Sequence, residues 1–145
     1  MENNLTKTEE LEQIAEDNGI CIDNDCPAEI SAMSVCLPCG IKVIGLNRED
    51  WQTVPERLAH EVGHCLTDGF YPIGAMRSNR WKAEYQANKW AILHLIPFDS
   101  LEEAVEDGNL ELWQLAEYFS VSQAFVQSAI DYYALHGLTI ERKEF

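Results

Sequence analysis

His60 and His64 stand four residues apart, with Glu61 between them, in the run Leu58-Ala59-His60-Glu61-Val62-Gly63-His64-Cys65-Leu66. On an α-helix this spacing leaves the two imidazoles about 40° apart around the axis and one turn apart along it, so both can reach one ion. Glu61 is turned about 100° from His60 and cannot join them as a ligand. It can reach a water held at the ion. This is the arrangement of metal-dependent proteolysis, in which two histidines bind zinc and the glutamate is the general base. Gly63 weakens a helix by about 1 kcal/mol relative to alanine, so a glycine beside His64 points to close packing or ligand access. The flanking Leu58, Ala59 and Val62 are apolar, and histidines buried among them without a metal or another partner would lose hydration uncompensated.

A catalytic zinc takes three protein ligands and keeps one position open. Two carboxylates could supply the third. Asp68 lies four residues after His64 and continues the same helical face, but it stands beside Gly69, where the helix is ending. Glu84 lies in a second helical stretch, Glu84-Tyr85-Gln86-Ala87-Asn88, and is the better candidate. Asn88 is one turn on from Glu84 and could hydrogen-bond the far nitrogen of a zinc-bound histidine, fixing its ring. The small Ala87 would let the two helices approach closely. Two histidines and a carboxylate suit zinc, with manganese as an alternative.

The elements that must position these groups follow from periodicity. Thr6 to Asn18 carries Leu11, Ile14 and Ala15 at helical spacing, with Gly19 as the stop. Ile20–Ile22, Ala32–Leu37 and Ile41–Leu46 read as short strands, the last two forming an antiparallel hairpin around Pro38 and Gly40. Asn47 or Asp50 can cap the histidine-bearing helix, with Pro55 near its start. A loop from Gly69 to Asn79 leads to a helix from Trp81 to Leu95 that stops before Pro97. Helices follow at Leu101–Glu106, capped by Asp99 or Ser100, then at Leu110–Phe119 and Ser122–His136. The fold class expected is α+β, a zincin-like single domain over residues 1–145. It has an N-terminal helix, a small sheet with antiparallel pairing, the active-site helix and a helical C-terminal half.

Length and charge bound the partners. A chain of 145 residues that is 46% hydrophobic can bury a core without disulfides. A net charge of −15, from 25 acidic against 10 basic residues, repels nucleic-acid phosphates and anionic membranes and favours a basic protein partner. The opening Met1-Glu2-Asn3-Asn4 has neither the basic nor the apolar part of a secretory signal, and no apolar run could span a bilayer, so a cytoplasmic location is expected. Five cysteines fit reduced thiols. Cys21, Cys26, Cys36 and Cys39 could make a four-thiolate zinc site, or Pro38 and Gly40 could simply make a turn flanked by incidental thiols. Trp51, Trp81, Trp90 and Trp113, with Tyr132 and Tyr133, read as core or helix packing. The acidic Glu102, Glu103, Glu106 and Asp107 read as a solvated helix face.

The histidine motif, together with Glu84-Tyr85-Gln86-Ala87-Asn88-Lys89-Trp90-Ala91 and Leu95-Ile96-Pro97, resembles the ImmA/IrrE metallopeptidase family. The resemblance also takes in Ile14-Ala15 in the opening helix and Leu115-Ala116-Glu117-Tyr118-Phe119-Ser120-Val121-Ser122 near the end. It implies zinc ligands at His60, His64 and Glu84, with Glu61 as catalytic base. It further implies a protein substrate of the helix-turn-helix repressor type. Trp90, where the family usually has phenylalanine, and His94, at a commonly polar or acidic position, depart from the pattern without touching the ligands. His94 reads as a packed or capping histidine. Tyr71, Arg80 and Tyr85 are the candidates for stabilising an oxyanion.

Two rival readings exist. Leu115 to Ser122, followed by Phe125, Val126 and Ile130, has the spacing of a DNA-binding helix-turn-helix, but its second helix holds no Lys or Arg. The other rival is a metal-binding protein without catalysis, for which Glu61 would have no use.

Overall fold

The computed structural model describes residues 5–27, 29–49, 51–70 and 77–139. The first helix, α1 (Lys7–Asp17), starts where Thr6 and Glu9 cap each other. The Thr6 hydroxyl accepts from the Glu9 N–H at 3.1 Å, and the Glu9 carboxylate accepts from the Thr6 N–H at 3.0 Å. It buries Leu11 and Ala15 and ends at Asn18, after which Gly19 turns the chain at φ +70°.

Three strands follow: β1 (Cys21–Asp23), β2 (Ala32–Cys36) and β3 (Lys42–Leu46). The expected β2–β3 hairpin is present, with Ala32 opposite Leu46 and Cys36 opposite Lys42. Gly40 takes φ +91° in its turn. β1 pairs parallel to β3, giving the order β1-β3-β2. The central strand β3 carries the buried Ile44 and Leu46 at the alternation a half-buried strand requires. This order also separates the cysteines. β3 stands between Cys21 and Cys36, so their backbones are two inter-strand spacings apart, about 9–10 Å. Cys26 is buried against Gly45, whereas Cys39 is exposed in the hairpin turn. The four do not converge as a thiolate cluster.

The histidine-bearing helix α2 (Val54–Leu66) follows a short 3-10 turn at Trp51–Thr53, with Thr53 at its N-cap and Pro55 in its first turn. Asn47 does not cap it. Its side chain accepts from the Glu49 N–H two residues on and so fixes the preceding turn, while Asp50 lies outside the described residues. Arg57 ties α2 to the strand ends by donating to the carbonyls of Ser31 at 2.7 Å and Asn47 at 3.0 Å.

The long helix α3 (Arg77–Leu95) begins four residues earlier than its sequence pattern suggests, because Arg77-Ser78-Asn79 contains nothing that stops a helix once its body is packed. Similarly, α4 (Phe98–Glu106) starts directly after Pro97, whose missing N–H costs nothing at a helix start. α5 (Leu112–Phe119) and α6 (Gln123–Leu135) are the last elements among the described residues, with Ser120 in the left-handed conformation between them. The result is the α+β arrangement expected, with the core lying between the sheet, α2 and the surrounding helices.

The tryptophans correct one expectation. Trp51 is 72% exposed, Trp81 67% and Trp113 50%, so of the four only Trp90 packs against the core. Trp81 lies stacked on Tyr85, on the outer side of α3. Tyr133 is buried as expected and donates its hydroxyl to the Ile96 carbonyl at 2.7 Å. Glu102, Glu103, Glu106 and Asp107 are solvent-exposed.

Gly63 is where α2 and α3 cross. A Cβ there would lie 2.8 Å from the Ala87 carbonyl oxygen and 3.2 Å from the Trp90 Cβ. Close packing, rather than ligand access, therefore explains this glycine. Gly63→Ala should destabilise the protein by about 1–2 kcal/mol despite alanine's better helix propensity. At about 3 °C per kcal/mol for this size, thermal unfolding should shift down by about 3–6 °C. A melting temperature equal to or above wild type would contradict the contact. The thiols give a second check. Cys21, Cys36 and Cys39 are exposed, Cys26 is buried, and burial pushes the Cys65 thiol up to about 11. Titration with an aromatic disulfide should find three fast thiols in the native protein and five after unfolding.

Candidate metal centre

α2 presents His60 and His64 on one face, with Glu61 turned from them but opening onto the same cleft. That cleft has a volume of about 710 Å³, and β2 forms its opposite wall through Ala32 to Cys36. A groove of about 980 Å³ lies elsewhere, between Trp51, Trp113 and the start of α6. The larger space carries no cluster of ligating side chains, so chemistry rather than volume identifies the site.

Across the α2–α3 contact, residues 84, 87, 88 and 91 share one face of α3 by their i, i+3, i+4, i+7 spacing. Ala87 and Ala91 are fully buried, which brings Glu84 and Asn88 up to the histidines. Glu84 Oε2 lies 2.8 Å from His60 Nε2, and Glu84 Oε1 lies 3.1 Å from His64 Nε2. Asn88 Oδ1 lies 2.7 Å from His60 Nδ1. Position separates the two candidate carboxylates. Glu84 joins the histidines, whereas Asp68 is paired with Lys42 at 2.7 Å.

The hydrogen bonds fix the imidazole tautomers. His64 Nδ1 lies 2.7 Å from the Gly69 carbonyl oxygen, which can only accept, so Nδ1 carries the proton. Asn88 Oδ1 accepts from His60 Nδ1 in the same way. In the neutral form of each ring Nε2 is then the free acceptor, and the two Nε2 atoms lie 3.1 Å apart with the rings nearly perpendicular at 83°. A carboxylate closes the third side. Three electron-rich groups this close repel one another unless positive charge lies between them.

A metal ion fits. Bonds of 2.0–2.1 Å at a tetrahedral angle put two nitrogens about 3.3 Å apart, close to the separations here. His60, His64 and Glu84 are the group of potential ligands within mutual reach among the described residues. Glu61 adds a second observation. It is only 8% exposed, and its Oε2 is buried without a hydrogen-bond partner among the described residues. An unpartnered buried carboxylate oxygen is costly, and such groups in native structures have a use.

Other sequence candidates lie apart. Arg80 and Tyr85 do not line the cleft, and Tyr71 falls outside the described residues. His94 stacks on Trp90 at 5.0 Å, half-buried, and burial holds its pKa below the usual histidine value. Two features escaped the sequence reading: the Gly69 carbonyl on His64, and β2 as a wall of the cleft. The glycine directly after the helix was the available signal for the first.

No curated protein and no solved structure matches the chain significantly. The family model described as the IrrE N-terminal-like domain, peptidase M78, matches residues 27–131, well over half of the chain. The match begins beyond α1 and β1, so both lie outside it, but it contains the hairpin, α2 to α5 and the first nine residues of α6. With His60, His64 and Glu84 brought together inside the matched region, the chain belongs to the peptidase M78 family of metallopeptidases, with its IrrE N-terminal-like domain.

Proposed function

We propose that the protein is a zinc-dependent endopeptidase in which His60, His64 and Glu84 hold the metal and Glu61 is the general base. The observation that carries this reading is the convergence of the two Nε2 atoms with the Glu84 carboxylate, beside a buried Glu61 oxygen with no partner among the described residues. A divalent cation held there supplies Lewis acidity, polarising the scissile carbonyl and making water acidic enough to attack near neutral pH. Two imidazoles and a carboxylate favour zinc, with manganese as the alternative.

The chain's own groups do the rest. Asn88 and the Gly69 carbonyl hold the two imidazoles in one tautomer and orientation, so Nε2 is available on each without a conformational search. Glu61 accepts a proton from the attacking water and returns it to the leaving amide nitrogen, so one proton carrier serves both halves of the hydrolysis. Burial of Glu61 excludes bulk water that would compete for this proton.

The substrate proposed is a helix-turn-helix repressor-type protein, met in the cytoplasm. The resemblance to the ImmA/IrrE family motivates this, and a charge of −15 favours a basic protein over nucleic acid or an anionic membrane. Among the described residues no helix is long and apolar enough to cross a membrane. The DNA-binding reading of α5 and α6 gains nothing from the geometry. Ser122 at the start of α6 donates its N–H and hydroxyl to the Glu56 carboxylate at 2.9 and 2.8 Å, and α6 itself has no Lys or Arg. The end of a recognition helix that would meet bases is therefore covered by negative charge.

Purified protein and three variants test the reading. His60→Ala and Glu84→Ala should each lose stoichiometric zinc by elemental analysis. Glu61→Gln should keep the metal and lose about 10²- to 10⁴-fold in cleavage of a repressor substrate. Equal cleavage by wild type and Glu61→Gln would exclude this mechanism.

A further inference from the structure

The end of α2 is built unusually. Thr67 closes the helix, and the Gly69 N–H reaches back to the His64 carbonyl at 2.9 Å, wrapping the chain around the last turn. Such a wrap needs one residue in the left-handed region, where glycine is at ease and other residues are strained. Here Asp68 takes that place, at φ +52°, although a glycine follows directly.

The carboxylate at this position has a partner. Lys42, on β3, puts its Nζ 2.7 Å from Asp68 Oδ1 and 2.6 Å from the Cys65 carbonyl oxygen, and lies 5.9 Å from the centre of the Phe70 ring. One ammonium thus ties together the Cys65 carbonyl near the end of α2, Asp68 in the left-handed turn and the ring that lines the cleft. The hydrogen bond that Lys42 donates to Asp68 raises the Lys42 pKa, so the cation is retained. Asp68 is 78% exposed, and an ion pair this open adds little to stability. Its consequence is geometric. The next residue is Gly69, whose carbonyl accepts from His64 Nδ1. A Cβ on Gly69 would lie 3.3 Å from that nitrogen, so the turn presses directly on the imidazole.

We infer that Lys42 is a positioning residue for the metal centre. With Asp68 it locks the turn after α2, keeping the Gly69 carbonyl on the Nδ1–H of His64 so that the ring presents Nε2 to the cleft. The effect on metal binding rests on the function proposed above; the effect on the tautomer does not.

The test uses the full chain, wild type, Lys42→Met and Asp68→Gly. Long-range proton–nitrogen correlation in metal-free protein should show His64 as a single Nδ1–H tautomer in wild type and as a mixture in Lys42→Met. Zinc dissociation constants from chelator competition should rise about tenfold in Lys42→Met. Asp68→Gly removes the ion pair while suiting the left-handed turn, so its melting temperature should equal or exceed wild type while its zinc affinity still falls. If both variants keep the wild-type tautomer and zinc affinity, Lys42 is only a helix cap and the inference fails. Wild type that binds no zinc would overturn the metal reading instead, and the tautomer comparison would still decide the role of Lys42.

Discussion

The close crossing of α2 and α3 is the constraint on which everything else depends. Gly63 meets Ala87 without room for another methyl group, and this separation lets a short carboxylate on one helix stand within 3.1 Å of two imidazoles on the other. Asn88 reaches His60 across the same contact. Widening the crossing by one methyl would move ligand and orienting residue together. Packing and chemistry are therefore one problem here, solved by two small residues.

The sheet serves this crossing from the other side. β3 supplies buried Ile44 and Leu46 beneath α2 and sends Lys42 to the helix end, while β2 walls the cleft. Arg57 fastens the body of α2 to the strand ends. The helix is thus held in its first turn and at its C-terminus, on either side of the histidines. In a chain of charge −15, the site gathers lone pairs and carboxylates rather than dispersing them, which is an arrangement that positive charge completes.

Much of this was legible in the sequence, for identifiable reasons. The four-residue histidine spacing and the placement of Glu84, Ala87 and Asn88 are helical-face relations, and these survive into any packed structure. The hairpin was readable from Pro38 and Gly40. What could not be read depends on contacts distant in sequence. The parallel pairing of three-residue β1 with β3 leaves no periodic signal. Nothing near Lys42 announces a partner 26 residues away at Asp68. The early start of α3 carries no periodic signal, because residues 79–82 are exposed and their types neither demand nor stop a helix. The tryptophans misled because bulk and apolarity suggest burial, whereas the faces of the helices that carry Trp81 and Trp113 point outward.

The central claim is that one metal ion is held by two imidazoles from α2 and one carboxylate from α3. X-ray absorption at the zinc edge of the loaded protein tests it most directly. The expected first shell is nitrogen and oxygen at about 2.0–2.1 Å, with the outer-shell pattern of two imidazoles. Sulfur scatterers at about 2.3 Å would place the metal on cysteine thiolates and contradict it.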